Sequence, residues 1–256
     1  MIFYFTGTGN SLYVAQKLHE NEEGELIDMA DALSKNQFEY KIKGDEKIGF
    51  VFPVYFYGLP TIVSEFIGQL AIESDSKHFI YSVITYAGSI GNADKMLEKL
   101  LKKVNLHLNS SFSIIMPNNY NIMSDLPDKE KQNKVLQNAE KEIEKVGKLL
   151  RANKKGNFAH HGYFPVFTPI AYSLYGIFRK TKKFYATDAC TSCGICEEIC
   201  PSKTIQLTSG KPEWINEKCS HCSGCINRCP AEAIQYGNST KKRGRYVNPN
   251  VKFSNM

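Results

Sequence analysis

Cysteine supplies the most chemically specific pattern in this chain. Cys190-Thr-Ser-Cys193-Gly-Ile-Cys196-Glu-Glu-Ile-Cys200-Pro201 is followed by Cys219-Ser-His-Cys222-Ser-Gly-Cys225-Ile-Asn-Arg-Cys229-Pro230. C-x2-C-x2-C-x3-C-P is the spacing of bacterial iron–sulfur ligation, so two copies predict two [4Fe–4S] clusters. Two such clusters take eight thiolates, and the chain has eight cysteines, which leaves none for disulfides. Compact triplets also suit zinc poorly, since structural zinc favours paired cysteines separated by a longer insert. In runs of this kind the fourth cysteine crosses to the other cluster. The predicted ligand sets are therefore Cys190, Cys193, Cys196 and Cys229 for one, and Cys219, Cys222, Cys225 and Cys200 for the other. Crossing would make neither half stable alone and would couple metal assembly to folding.

A second constellation opens the chain. Apolar and aromatic residues 2–5 run into Thr6-Gly7-Thr8-Gly9-Asn10-Ser11, and an amphipathic helix, Leu12 to His19, follows. A Gly- and hydroxyl-rich turn between strand and helix offers unpaired N–H groups to an anion, and reads as a phosphate cradle or a tight strand-to-helix turn. It lacks both the dinucleotide glycine fingerprint and the Gly-Lys-Ser/Thr ending of a triphosphate loop. Two further loops carry chemistry. Pro53-Val54-Tyr55-Phe56-Tyr57-Gly58-Leu59-Pro60 is aromatic and braced by prolines, which suits a flat redox heterocycle, with Tyr55 and Tyr57 as stacking candidates. Tyr86-Ala87-Gly88-Ser89-Ile90-Gly91-Asn92 brings two glycines where backbone can approach a ring edge.

The elements that would position these loops alternate. Strand-like runs at 25–27, 48–52, 79–84 and 112–116 are separated by helical patterns near 61–70, 92–103 and 129–150. This order predicts an α/β doubly wound, mostly parallel sheet whose ligands bind beyond the C-terminal strand ends. At 256 residues there is room for one full-sized core and a small cysteine module, hence two domains. The predicted divisions are 1–157, a connecting apolar helix or linker over 158–184, the small α+β cluster module over 185–238, and an extension over 239–256.

Net charge gives no case for nucleic acid. The formal +6 counts thiols as neutral, and two oxidised clusters would bring it to about +2. Arg179, Lys180, Lys182 and Lys183 precede the module, and Lys241, Lys242, Arg243 and Arg245 follow it. Such a patch either steers an acidic redox partner or is a solvated surface; the aromatic interleaving of a nucleic-acid binder is missing. No basic leader and no run of eighteen apolar residues is present, so a cytoplasmic protein without a transmembrane segment is expected.

On these loops the first domain resembles a flavodoxin, and the whole arrangement is similar to fused flavodoxin–ferredoxin proteins of anaerobic microbes. The resemblance implies a flavodoxin-like sheet followed by a two-[4Fe–4S] ferredoxin-like domain, with FMN as cofactor. It assigns Thr6, Thr8, Gly9, Asn10 and Ser11 to the phosphate, Pro53, Val54, Tyr55 and Tyr57 to one side of the ring, and Tyr86, Ala87, Gly88 and Gly91 to the other. Met116-Pro-Asn-Asn-Tyr120 is also reminiscent of the fusion and is expected near the site or the domain junction. Two departures stand out: basic residues are dispersed through a domain that is usually acidic, and 158–185 is too apolar for a bare linker. That stretch is read as packing across both domains, with a membrane-surface helix over 163–178 as the rival.

The function expected on this reading is an electron-transfer iron–sulfur flavoprotein. FMN would exchange with a small-molecule donor or acceptor, and the clusters would pass single electrons to a redox partner protein. The alternative is a redox-sensing or regulatory protein-binding module. No acid–base constellation is convincing: His160-His161 reads as a surface pair, and His221, lying between cluster ligands, is a candidate to tune a cluster through a hydrogen bond to sulfur. Substrate, direction of electron flow and oligomeric state are not legible in the residues.

Overall fold

Alternation in the first five residues sets the two faces of the main sheet. Ile2 and Tyr4 enter one apolar cluster, while Phe3 and Phe5 enter the other, as the two-residue period of a strand requires. This computed structural model describes residues 1–20, 22, 24–162 and 168–252. In chain order the first domain runs β1 (Ile2–Tyr4), α1 (Asn10–His19), β2 (Leu26–Asp28), α2 (Met29–Ser34), β3 (Glu39–Lys41), β4 (Ile48–Pro53), α3 (Thr61–Ile67), β5 (Ala71–Glu73), β6 (Ile80–Tyr86), α4 (Ala93–Lys103), β7 (Ser110–Ile115), α5 (Lys129–Arg151) and β8 (Gly156–Asn157).

Six of these strands form one parallel sheet in the order β2-β1-β4-β6-β7-β8. The order reverses at β1, whose neighbours are β2 and β4, so a crevice opens beyond the C-terminal ends of those strands. Helices α2, α3 and α4 cover one face over Phe3, Phe50, Phe52, Phe66 and Ile84; α1 and α5 cover the other over Tyr81, Val83 and Phe112. Phe3 sits 4.9 Å from Tyr40 and 5.5 Å from Phe50 between ring centroids. Burying side chains of this size contributes roughly 1.5–3 kcal/mol each. This is the flavodoxin-like doubly wound fold expected.

The second unit is small and mixed. Helix α6 (Thr168–Phe178) leads into β9 (Phe184–Ala186), α7 (Ile195–Glu198), β10 (Ile205–Thr208), β11 (Lys211–Trp214), α8 (Gly224–Asn227) and β12 (Ile234–Tyr236). Two antiparallel ribbons, β10 with β11 and β9 with β12, frame the cysteine runs. Its core is Ile122, Phe184, Ile226 and Ile234, with Trp214 and Tyr236 packed on it. Ile205, Ile226 and Ile234 are buried and Ile195 is half-buried. Tyr163, Phe164 and Phe167 of the apolar connector lie outside the described residues.

Candidate functional site

Three strand-end loops and the cysteine module converge on one cleft. Beyond β1, the Thr6–Gly9 turn ends in Gly9 at φ 98°, and α1 begins there with no side-chain cap and no acid in its first turn. The first N–H groups of a helix have no intrahelical partner, so this end suits an anion. The turn is tied internally: the Gly9 N–H donates to Thr6 Oγ1 at 3.0 Å, Asn119 Nδ2 donates to Thr8 Oγ1, and Ser11 Oγ pairs with Thr85 Oγ1 at 2.7 Å. Asn10 donates to the Pro117 carbonyl at 3.1 Å.

Beyond β4, Tyr55 and Gly58 exchange backbone hydrogen bonds of 3.0 and 2.9 Å around Phe56 and Tyr57. Both central residues are left-handed, at φ 47° and 64°, as a two-residue I′-type turn demands. Bulky residues in that conformation are strained, and such strain concentrates at ligand sites. Gly58 is needed because an added Cβ would lie 2.4 Å from Tyr172 Cδ2. Beyond β6, Gly91 sits at φ 57°, and an added Cβ there would lie 2.4 Å from the Tyr57 carbonyl oxygen and 2.6 Å from Thr168 Oγ1.

The cleft is partly open to solvent and is lined by Asn10, Pro53, Val54, Tyr55, Phe56, Thr85, Tyr86, Ala87, residues 116–120, Tyr175, His221 and Cys222. A concave, largely aromatic lining with a few polar groups is the character of small-molecule and cofactor sites. Tyr55 and Phe56 meet Tyr175 at 6.3 and 5.3 Å between centroids, and Phe56 meets Tyr120 at 6.0 Å. Burial pushes the hydroxyls of Tyr55, Tyr120 and Tyr175 above the ordinary phenol range, so these groups remain protonated donors.

Of the residues assigned from sequence, Asn10, Pro53, Val54, Tyr55, Tyr86 and Ala87 border the cleft. Thr6, Thr8, Gly9 and Ser11 form the turn behind Asn10, while Tyr57, Gly88 and Gly91 stand away from the lining. Tyr57 is 43 % exposed. Sequence reading missed Phe56, Thr85, Tyr175, His221 and Cys222 as lining residues. The domain contact accounts for the last three: Tyr175 Oη donates to the Ser220 carbonyl at 2.7 Å, and Tyr120 Oη lies 2.6 Å from His221 Nδ1. An added Cβ on Gly7 would meet the Cys222 carbonyl at 2.8 Å. The C-terminal extension closes the same corner. Tyr246 Oη and Asn248 Nδ2 donate to Asn10 Oδ1 at 2.7 and 3.1 Å, and the Asn248 N–H donates to the Thr8 carbonyl at 2.9 Å.

The metal-centre expectation requires correction. Cys190, Cys193, Cys196 and Cys229 border one small cavity, and Cys225 has Cys222, Cys219, Cys200 and Cys196 as its electrostatic neighbours. All eight cysteines are free. Among the described residues, however, no group of three or more His, Cys, Asp or Glu side chains is gathered so as to hold a metal ion. This overturns the two expected [4Fe–4S] clusters and the scheme in which electrons pass from FMN through clusters to a partner.

The reason is geometric: a cluster is held only where its ligands converge on one centre, and among the described residues the cysteine side chains do not converge in that way. Burial pushes Cys196 up to about 11 and Cys219 up to about 12, and raises Cys222 and Cys225 as well. His221 also departs from its expected role. Its ring faces Tyr120, only its backbone N–H reaches the Cys219 sulfur, at 3.3 Å, and burial lowers its imidazole to about 4.

Comparison with known proteins falls on the same two parts of the chain. Residues 1–113 match the family described as a flavodoxin domain, and residues 189–234 match the family described as a 4Fe-4S dicluster domain. No curated protein matches. Among solved structures, a Bacteroides uniformis protein assigned as a flavoprotein is 19 % identical, covering 45 % of this chain and 88 % of its own, at a TM-score of 0.32. The Trp repressor binding protein of Bacillus subtilis is 12 % identical over 54 % of this chain and 95 % of its own, at a TM-score of 0.32. Rubredoxin oxygen:oxidoreductase from Desulfovibrio gigas is 14 % identical over 59 % of this chain and 36 % of its own, again at 0.32.

Proposed function

From a chain that joins a flavodoxin-like domain to a 4Fe-4S dicluster ferredoxin-type domain, we propose an electron-transfer flavoprotein that holds FMN in the cleft beyond β1, β4 and β6. The observation that carries this reading is the pairing of an uncapped helix N-terminus with an aromatic-walled cleft at the point where strand order reverses. When bound, FMN supplies the redox chemistry.

The chain's own residues bind, orient and shield it. The Thr6–Ser11 turn presents the N–H groups at the start of α1 to the phosphate, with Asn10 held in place by Pro117, Tyr246 and Asn248. Pro53, Val54, Tyr55 and Phe56 lie along one side and Tyr86 and Ala87 along the other, and the phenol of Tyr55 stays a proton-bearing donor. Tyr120, Tyr175 and the Cys219–Cys222 turn exclude water from the edge shared with the second domain.

A redox-carrier role follows from the two-part architecture, with a soluble protein or a small molecule as exchange partner. A cytoplasmic setting belongs to this proposal and is supported by eight free thiols. The test is retention during turnover. FMN-loaded protein, reduced without oxygen and then mixed with ferricyanide, is expected to return its electrons while the flavin co-elutes with the chain. Flavin that leaves the protein on reduction would sink the carrier reading.

A further inference from the structure

One face of the connecting helix has no cover among the described residues. Helix α6 carries no charged residue, and its inward side is fixed by tyrosines: Tyr172 Oη donates to the Leu59 carbonyl at 2.9 Å and Tyr175 Oη to that of Ser220. At 100° per residue, Ile170, Leu174, Ile177 and Phe178 then fall within about 100° of arc on the opposite side. They are 66, 38, 56 and 54 % exposed. Four large apolar side chains in one stripe on an 11-residue helix differ from the scattered exposed apolar residues of an ordinary surface.

Charge says what this stripe meets. From Lys145 to Thr187 the sequence contains no Asp or Glu but nine Lys and Arg. Lys180, Lys182 and Lys183 are exposed just past the helix, and Lys218 is brought beside Lys180 by a backbone bridge. Arg179 turns inward to the Cys219 carbonyl, Glu65 interacts electrostatically with Arg179, and the Glu217 carbonyl accepts from the Thr181 N–H. None of the four lysines makes an ion pair among the described residues; Lys183 lies over the Tyr236 ring.

We propose that α6 is a monotopic anchor that lays this stripe into the surface of an anionic phospholipid bilayer, with the four lysines on the headgroups. An uncharged apolar stripe flanked by basic residues is the pattern of in-plane helices, and lysines near a negative leaflet add attraction that salt weakens. No helix of the described chain is long and apolar enough to cross a membrane, so the contact is with one leaflet only. Because the other side of α6 supplies Tyr175 to the cleft wall, docking would hold the cleft about one helix diameter, roughly 10 Å, from the lipid. The proposal is independent of what the cleft binds.

Sedimentation of the full chain with vesicles tests it. Vesicles of equal parts phosphatidylcholine and phosphatidylglycerol are expected to capture the protein at least tenfold more strongly than phosphatidylcholine alone, and high salt should abolish most of the difference. Ile177→Glu with Phe178→Glu, and separately Lys182→Glu with Lys183→Glu, should each weaken capture at least tenfold. Met123→Glu, at a site 66 % exposed elsewhere on the surface, should not. Unchanged circular dichroism melting verifies the fold of each variant. Capture that ignores lipid charge, that is absent from the unaltered chain, or that survives the α6 substitutions overturns the proposal. So does a concentration-dependent dimer, abolished by Ile177→Glu, in a chain that no vesicle captures.

Discussion

At the scale of single residues, backbone approach matters more than side-chain chemistry. Gly7 carries the contact between the Thr6–Gly9 turn and the cysteine module, with a Cβ there falling 2.8 Å from the Cys222 carbonyl, 3.1 Å from its Cβ and 3.2 Å from Tyr55 Oη. Backbone cannot swing aside as a flexible side chain can. Gly7→Ala is therefore expected to cost about 1–3 kcal/mol, as overpacking does, and to open the junction to protease; thermal melting and limited proteolysis would measure both, and an unchanged melt would contradict the contact.

The same scale shows where the sequence stopped being informative. An aromatic loop braced by prolines offers Tyr55 and Tyr57 as stacking candidates. The left-handed backbone at Phe56 and Tyr57 instead puts Phe56 in the cleft lining and leaves Tyr57 outside it. Left-handed φ at two bulky aromatics has no signature in residue type, since turns of this kind ordinarily favour Gly, Asn or Asp.

At the scale of elements, long periodic segments were legible and several short ones were not. Periodicity predicted helices over 92–103 and 129–150, and α4 and α5 lie at Ala93–Lys103 and Lys129–Arg151, because each must keep one apolar stripe on the sheet. Asp128 caps α5 by accepting from the Lys131 N–H at 2.8 Å. Helix α2 and strands β3, β5 and β8 went unread; with six residues or fewer, they are too short for a period to emerge. The cysteine spacing was equally plain, but spacing records order along the chain and not whether the side chains converge on one centre in the fold.

The C-terminal segment had no identifiable chemistry in sequence, yet Tyr246 is 3 % exposed and Asn248 1 % exposed against Asn10 and Thr8. Tyr246→Phe removes one buried hydrogen bond and leaves Asn248 on Asn10. A loss of about 1 kcal/mol in stability is expected, with FMN affinity reduced several-fold because Asn10 is less firmly held. Denaturant titration and flavin titration of the variant check the two effects, and an unaffected flavin affinity would show that the segment does not position the turn.

At the scale of the molecule, the parallel sheet places three loops at one edge, and the second domain closes that edge rather than hanging from a linker. Fold class was readable because alternation of β and α leaves few alternatives; the closed junction was not, since it rests on polar contacts between residues more than a hundred positions apart, such as Asn227 Nδ2 to the Asn119 carbonyl at 3.1 Å. A flavin in this junction-walled cleft would be gripped by both ring and phosphate, which isothermal titration of the full chain with FMN and with riboflavin measures. One FMN per chain is predicted, at least tenfold tighter than riboflavin because only FMN engages the start of α1, and weakened at least tenfold by Tyr55→Ala. Equal affinity for the two ligands would remove the phosphate role of the Thr6–Ser11 turn, and no saturable binding of either would contradict the account.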